Sequence, residues 1–309
     1  YMQVRDFDKA SNYLQQAATL APQAAAVRTS LGLSRLAQGD QARALSDLEL
    51  AATLDPKSLQ ATMALVQTEI NMKRYDKALA AVNALEKQQP DSPQVQQLKG
   101  AVYMVQNKNT EARAAFEKAL SLQPTFLPAV TNLARLDVQE NKPDAAKARF
   151  TGFLEKNKDN VDAMTALGDL AMLQKNQAEA TSWFEKASNA SPNATAPALK
   201  LGAHYLATNQ APKALALARK FQTTHPTDAG VLELLGQSQA ANKDLNGALD
   251  TYSKLANVMP KAPGAQLRLA QIQLALKNES AAASHLKRAV DLQPGFVPAR
   301  LMQVELAMR

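Results

Sequence analysis

Prolines at positions 22, 56, 90, 124, 192, 226, 260 and 294 fall on a single period of 34 residues, the longest gap being twice that with Lys158 in the empty slot. When each proline is set as position 32 of a unit, other columns appear. Position 20 reads Ala10, Ala44, Ala78, Ala112, Ala146, Ala180, Ala214, Ala248 and Ala282, alanine at every occurrence. Position 24 reads Leu14, Leu48, Val82, Phe116, Phe150, Phe184, Ala218, Tyr252 and Leu286. Leucine dominates position 7 (Leu31, Leu65, Leu133, Leu167, Leu201, Leu235, Leu269), and position 8 carries Gly32, Gly100, Gly168, Gly202 and Gly236, with Ala134, Ala270, Val66 and Val304 elsewhere. A fixed period of this length, held without insertion or deletion, is the mark of a stacked repeat, so the chain is read by units before it is read by domains.

Each unit has the content of a helical hairpin, with helix A expected over positions 1 to 14 and helix B over 15 to 28. A small residue at position 8 faces the alanine of position 20 and lets two backbones approach, and position 24 fills the space beside them. Where Ala218 shrinks that column, Phe221 stands three residues on and offers a volume-conserving exchange. Gly39-Asp40, Asn107-Lys108, Asn141-Lys142 and Asn209-Gln210 mark the turns between A and B, because Gly and Asn accept the left-handed conformation that closes a helix. Pro143 then fits the first turn of its helix B, where no hydrogen bond is lost. The proline at position 32 ends each unit.

These columns resemble the tetratricopeptide repeat, whose pattern places a small residue at position 8, Ala at 20, an aromatic or apolar residue at 24 and Pro at 32. The resemblance runs from end to end. It implies an all-α fold, a right-handed superhelix of about eighteen helices in antiparallel pairs. The units are a partial repeat over 1–24, full repeats over 25–58, 59–92, 93–126, 127–160, 161–194, 195–228, 229–262 and 263–296, and a partial repeat over 297–309. Tyr1 to Val4 falls inside a helix A, so the chain is expected to be a segment of a longer array. Its last helix is expected to leave Val297, Leu301, Val304 and Met308 uncovered, an invitation to end-to-end self-association.

Composition narrows the chemistry. Cysteine is absent, which removes disulfides, thiolate metal sites and cysteine nucleophiles together. A net charge of +7 raises nucleic acid as a partner, but 35 basic residues are scattered among 28 acidic ones and aromatics are only 5%, too sparse for a base-stacking platform. No run approaches the length of a membrane span. His204, His225 and His285 occupy unrelated columns without metal-ligand spacing, and no phosphate loop or nucleophile elbow occurs. Asn193-Ala194-Thr195 and Asn278-Glu279-Ser280 match a glycosylation sequon, a pattern common by chance. Met63, Met104, Met164, Met172, Met302 and Met308 on A helices and Trp183 beside the position-24 column read as core filling. No catalytic residue, cofactor or metal is expected.

In the family it resembles, ligands lie on a concave face lined by helix A at positions 2, 5, 9 and 12. Here those columns supply Gln60, Met63 and Gln67, then Gln94 and Gln97, Thr131 and Arg135, Asp162, Thr165 and Asp169, Glu233 and Gln237, and Leu267 and Gln271. The resemblance therefore implies a polar, amide-rich groove suited to an extended polypeptide. The chaperone-type carboxylate clamp needs Lys at position 5 with Asn at 9, and no unit has that pair. The asparagine ladder of the O-linked GlcNAc transferase type is reduced to Asn132. The Ala/Gln-rich units, and phrases such as Asn132-Leu133-Ala134-Arg135-Leu136-Asp137, are similar to the tetratricopeptide lipoproteins that accompany exosortase (PEP-CTERM) sorting. That similarity implies a protein-binding scaffold of the bacterial envelope, in protein sorting or exopolysaccharide export. The competing readings are the arm of a larger, glycosyltransferase-like enzyme and a cytoplasmic co-chaperone or adaptor.

Overall fold

The computed structural model describes residues 7–308. Tyr1 to Val4, read above as the remnant of a helix A, lies outside the described residues. Among those described there are eighteen α-helices and no strand. The B helix α1 (Phe7–Leu20) comes first. It is followed by the A and B helices α2 (Ala25–Ala37) and α3 (Gln41–Leu54), α4 (Leu59–Asn71) and α5 (Tyr75–Gln88), α6 (Pro93–Val105) and α7 (Asn109–Leu122), and α8 (Leu127–Gln139) and α9 (Pro143–Lys156). The pairs continue with α10 (Val161–Leu173) and α11 (Gln177–Ala190), α12 (Thr195–Ala207) and α13 (Ala211–Thr224), α14 (Ala229–Ala241) and α15 (Leu245–Val258), and α16 (Pro263–Ala275) and α17 (Glu279–Leu292), and end with the A helix α18 (Val297–Ala307). A-helix starts are 34 residues apart throughout, including across Lys158.

The chain divides into two compact units, Tyr1–Asn157 and Lys158–Arg309, and the boundary falls at the slot where the periodic proline is missing. In each unit successive helices pack on one another, and A helices also meet the next A helix, as α2 meets α4, α4 meets α6 and α12 meets α14. The interior is a row of small clusters, each drawing on helices of neighbouring hairpins. Val66, Val82, Leu85, Val95 and Val102 form one in the first unit, and Leu232, Tyr252, Leu255, Leu269 and Ile272 form one in the second.

Helix A spans positions 1 to 13 and helix B positions 17 to 30, so B starts and ends two residues later than the sequence columns suggested. The turn takes the difference. Position 15 is left-handed in all eight A-to-B turns, at Gly39 (φ 83°), Lys73, Asn107, Asn141, Lys175, Asn209, Lys243 and Lys277. Its amide donates to the carbonyl three residues back and the next amide reaches five back, as in Lys73 N to Ile70 O (2.9 Å) and Arg74 N to Glu69 O (2.8 Å). This paired closure satisfies the last carbonyls of helix A. Position 16 then caps helix B where its side chain can accept, as Asp40, Asn176, Asp244 and Asn278 do. Ser58, Ser92, Asn160 and Asp228 cap A helices in the same way.

Position 8 is small where it meets the position-24 side chain, and at Gly32 an added Cβ would also lie 3.2 Å from the backbone oxygen of Ala44 at position 20. A methyl group added at Gly32 would lie 2.7 Å from Leu48 Cγ, and one at Gly236 would lie 2.6 Å from Tyr252 Cζ, while Gly100 and Gly168 are closed by Phe116 and Phe184. The glycine thus receives the position-24 side chain of its own helix B. The exchange proposed for Ala218 is different. Leu234 of the following helix α14 fills the space over Gly202 and clusters with Ala218, whereas Phe221 packs on Ala198 and Val231.

Of the six A-helix methionines, Met164 is buried, Met104 and Met302 are half-buried against clusters, and Met63, Met172 and Met308 are exposed, so core filling accounts for only part of the set. Trp183 is half-buried, with Lys186 Nζ 4.1 Å above its ring. On α18, Val297, Leu301, Val304 and Met308 are all exposed.

Two outcomes follow from these contacts. Lysine in a left-handed turn costs about 1–2 kcal/mol of backbone strain that glycine does not carry. Lys175→Gly and Lys243→Gly are each expected to raise stability by about 0.5–1 kcal/mol in urea melts, and a loss in both would show that these turns are unstrained. Ala218→Phe is expected to destabilise by about 1–3 kcal/mol through overpacking against Leu234. Adding Leu234→Ala should return part of that loss, and strict additivity of the two changes would refute the shared space.

Candidate functional site

The A-helix face of the first unit carries a hollow of about 690 Å³ over α2, α4 and α6. Gln60, Met63 and Gln67 line it, three residues named from the groove columns. Its other walls are Leu33, Leu59, Ala64, Val66, Ile70, Leu98 and Ala101. The space exists because Ala64 and Ala101 are short, and apart from Gln60 and Gln67 its wall is apolar. Sequence reasoning marked the rim of this hollow and missed its floor. The signal was present at positions 9 and 12, where Leu33, Ile70 and Ala101 stand among the amides.

Met63 is half exposed (50%) at the rim and Gln60 is exposed, while the Gln67 amide donates to Asn71 Oδ1 at 2.9 Å. Gln94 and Gln97, on α6, lie outside the hollow. Gln94 Oε1 accepts from the Ser92 hydroxyl (3.1 Å), and Gln97 Oε1 is shut off from solvent with no hydrogen-bond donor among the described residues. Thr131 and Arg135 are exposed on α8, apart from this hollow. A polar groove was expected here, and the structure instead gives an apolar floor with an amide rim.

The second unit is differently made. Glu233 Oε1 accepts from Arg268 Nε and from Gln237 Nε2, both at 2.7 Å, and Arg268 Nη1 reaches Gln271 Oε1 at 3.1 Å. Three expected ligand-binding side chains are therefore tied together by an arginine at position 6 that the columns did not select. Glu233 and Leu267 also border a hollow of about 520 Å³ with Gly230, Gly264, Met259 and Phe296. Asp162 is exposed, Thr165 turns its hydroxyl back to Val161 O (2.8 Å), and Asp169 pairs with Lys200 at 2.6 Å.

Charged groups inside the hairpins are committed to structure. Asp47 is buried between Arg28 (3.0 Å) and Arg35, and Asp137 between Arg113 (2.8 Å) and Arg149. Glu86 would be raised by its partial burial, but hydrogen bonds from Lys99, Gln96 and Lys118 prevail and hold it at about 2. No group of three or more metal-ligating side chains comes together among the described residues.

The histidines stand apart. His225 stacks on Phe221, and His285 Nδ1 donates to Gln266 Oε1 at 2.9 Å. His204 is buried against the edge of Phe184. The Thr181 hydroxyl donates to Gln177 O (2.8 Å), so its oxygen accepts from His204 Nε2–H at 2.7 Å. Nδ1 is left without a hydrogen-bond partner among the described residues. Burial pushes His204 below its usual value, since a proton on Nδ1 would leave a charge in an apolar site. The unfolded chain takes up that proton near pH 6.5, so this contribution to stability is present above the unfolded value and is lost as pH falls through it. NMR titration is expected to give His204 a midpoint below about 6.5, with stability declining toward pH 5 less steeply in His204→Gln. A midpoint at or above the free value would contradict this account.

Comparison with known proteins places the hairpins in a family. Three family models, each described as tetratricopeptide repeat, match residues 35–102, residues 1–58 and 131–195, and residues 93–126. No curated protein sequence matches the chain. Among solved structures, a chain from the crystal structure of the APC/C hetero-tetramer Cut9–Hcn1 superposes with a TM-score of 0.50 at 17% identity, over 97% of this chain and 59% of that one. This chain thus spans less than two thirds of that relative. YrrB, titled a TPR protein with an unusual peptide-binding site, gives 0.48 at 22% identity over 62% of this chain and 98% of its own. MamA from Desulfovibrio magneticus RS-1, from residue 41 to its end, gives 0.47 at 18% identity over 54% and 94%. With hairpins starting every 34 residues and the Ala, Gly and Pro columns in their places, the chain belongs to the tetratricopeptide repeat family.

Proposed function

We propose that this protein is a non-catalytic scaffold that binds other polypeptides, and that the hollow over α2, α4 and α6 anchors an apolar side chain of an extended partner segment. The observation that supports this reading is an aliphatic floor of about 690 Å³ bordered by two amides, Gln60 and Gln67, two helical turns apart on one face of α4. Such amides can both donate to and accept from a peptide backbone, while the floor receives the side chain between them. Asp162, Thr165 and Asp169, with Gln94, Gln97, Thr131, Arg135, Glu233, Gln237 and Gln271, remain proposed contacts along the A-helix faces, with those tied to Arg268 available only if a ligand displaces it. No helix among the described residues is long and apolar enough to cross a membrane.

The setting we propose for this scaffold is bacterial envelope protein sorting or exopolysaccharide export, on the character of the repeats alone. The arm of a larger glycosyltransferase-like enzyme and a cytoplasmic adaptor compete with it, and partners bearing C-terminal sorting segments would favour the first. The test of the groove is peptide selection by display on the full chain, followed by binding titration. Selected peptides are expected to share an aliphatic or aromatic anchor, and Met63→Glu is expected to weaken them by about tenfold or more. Ligands without an apolar anchor, or affinities indifferent to Met63→Glu, would remove the hollow from consideration.

A further inference from the structure

Helices α11, α12 and α13 of the second unit enclose a cleft of about 430 Å³ that the A-helix face does not include. Its floor is apolar, made by Leu201, Leu217 and the ring of the buried Tyr205. Along α13 one face of the helix presents Lys213, Ala216, Leu217 and Lys220 to the cleft, the spacing of residues that lie above one another. Lys213 and Lys220 are both exposed, and among the described residues neither forms an ion pair. Lys213 Nζ sits 5.3 Å above the Tyr205 ring, and Lys220 Nζ lies 5.8 Å from the ring of Phe221. On the α11 side, Glu185 is occupied, since Tyr205 donates its hydroxyl to Glu185 Oε1 at 2.6 Å. Ser188 and Asn189 complete that wall.

Both ammonium groups meet aromatic rings and no carboxylate partner among the described residues. Helix α13 carries three cations, Lys213, Arg219 and Lys220, and no acidic residue. The alanine at position 216, between the lysines, leaves the floor open. Lysines seven residues apart are about 10 Å apart along a helix. That separation matches two carboxylates seven apart on a partner helix, with an apolar residue midway between them.

We propose that this cleft is a second docking surface, for an acidic amphipathic helix of a partner protein. Two carboxylates would meet Lys213 and Lys220, and the apolar side chain between them would enter over Leu201, Leu217 and Tyr205. The site is independent of the A-helix hollow, and the two can be tested apart.

The experiment is fluorescence anisotropy with the full chain. The probe is a short labelled helix-forming peptide in which two glutamates seven residues apart flank a leucine. Binding is expected, weakening as salt rises and lost when the glutamates become glutamine. Lys213→Glu with Lys220→Glu is expected to weaken the probe by at least about tenfold, and Lys254→Glu on α15 should leave it unchanged. Helicity by circular dichroism checks the fold, and Lys213→Gln with Lys220→Gln, which adds no repulsion, should give a smaller loss in the same direction. Met63→Glu is expected to have no effect, which separates this site from the hollow of the first unit. Failure of the wild-type chain to bind the probe would overturn the proposal. Binding indifferent to both lysine pairs would do the same. Tighter, lysine-dependent binding of a labelled oligonucleotide would reassign the cleft to nucleic acid.

Discussion

The fit of one large side chain into the place of a missing one sets the spacing of these hairpins. All nine alanines of the position-20 column are buried, so helix B has no side chain long enough to hold the pair apart there. Phe116, Phe184, Leu48 and Tyr252 then reach across to the glycines at position 8 of their own A helices. Burying such a group is worth roughly 1.5–3 kcal/mol, but only if the glycine leaves room. Because each cluster draws on neighbouring hairpins, a misfit in one pair is passed to the next. Gly202 shows the arrangement solved another way, by Leu234 from the A helix of the next repeat.

Period and pairing were legible in the sequence because they rest on residues whose physics is local. Proline cannot continue a helix and alanine cannot hold two helices apart, so Pro22 to Pro294 and Ala10 to Ala282 mark the register without a structure. The four lysines at left-handed turns were not legible, since lysine carries no preference for that conformation and follows the geometry imposed by the hairpin. The partner of Ala218 was misread because the columns compare equivalent places within one repeat, whereas Leu234 enters from the next repeat. The groove columns at positions 2, 5 and 9, here Gln60, Met63 and Gln67, marked the rim of the hollow, but its volume comes from what Ala64 and Ala101 lack.

Buried charge adds a second layer of specification. Aliphatic clusters of similar shape recur from hairpin to hairpin, so apolar packing alone discriminates poorly between them. The buried ion pairs do distinguish hairpins, since Arg35–Asp47 and Asp137–Arg149 occupy the same two positions, 11 and 23, with their charges exchanged. Each aspartate takes two arginines, and losing the aspartate would leave two guanidinium groups uncompensated in a site with little access to water. Neither pair faces a hollow, and their chemistry is spent on holding helices together. This separates them from Lys213 and Lys220, which are exposed and form no ion pair among the described residues.

A repeat fixes backbone geometry and leaves the surface free to differ, so function has to be sought where equivalent positions diverge. Position 5 is methionine in α4, glutamate in α14 and leucine in α16. In the first unit that divergence, with short residues beside it, produces a hollow with an aliphatic floor and amides on its edge. In the second, Arg268 joins the same columns into a network of one carboxylate and two amides, and the adjoining hollow is bordered by an ion pair. A ligand entering there must compete with an existing hydrogen-bonded pair, whereas one entering over Met63 displaces only water from aliphatic surface. The same backbone therefore carries an open aliphatic floor in one unit and an ion-paired border in the other, and only a group able to replace the Arg268–Glu233 contact would gain by breaking it.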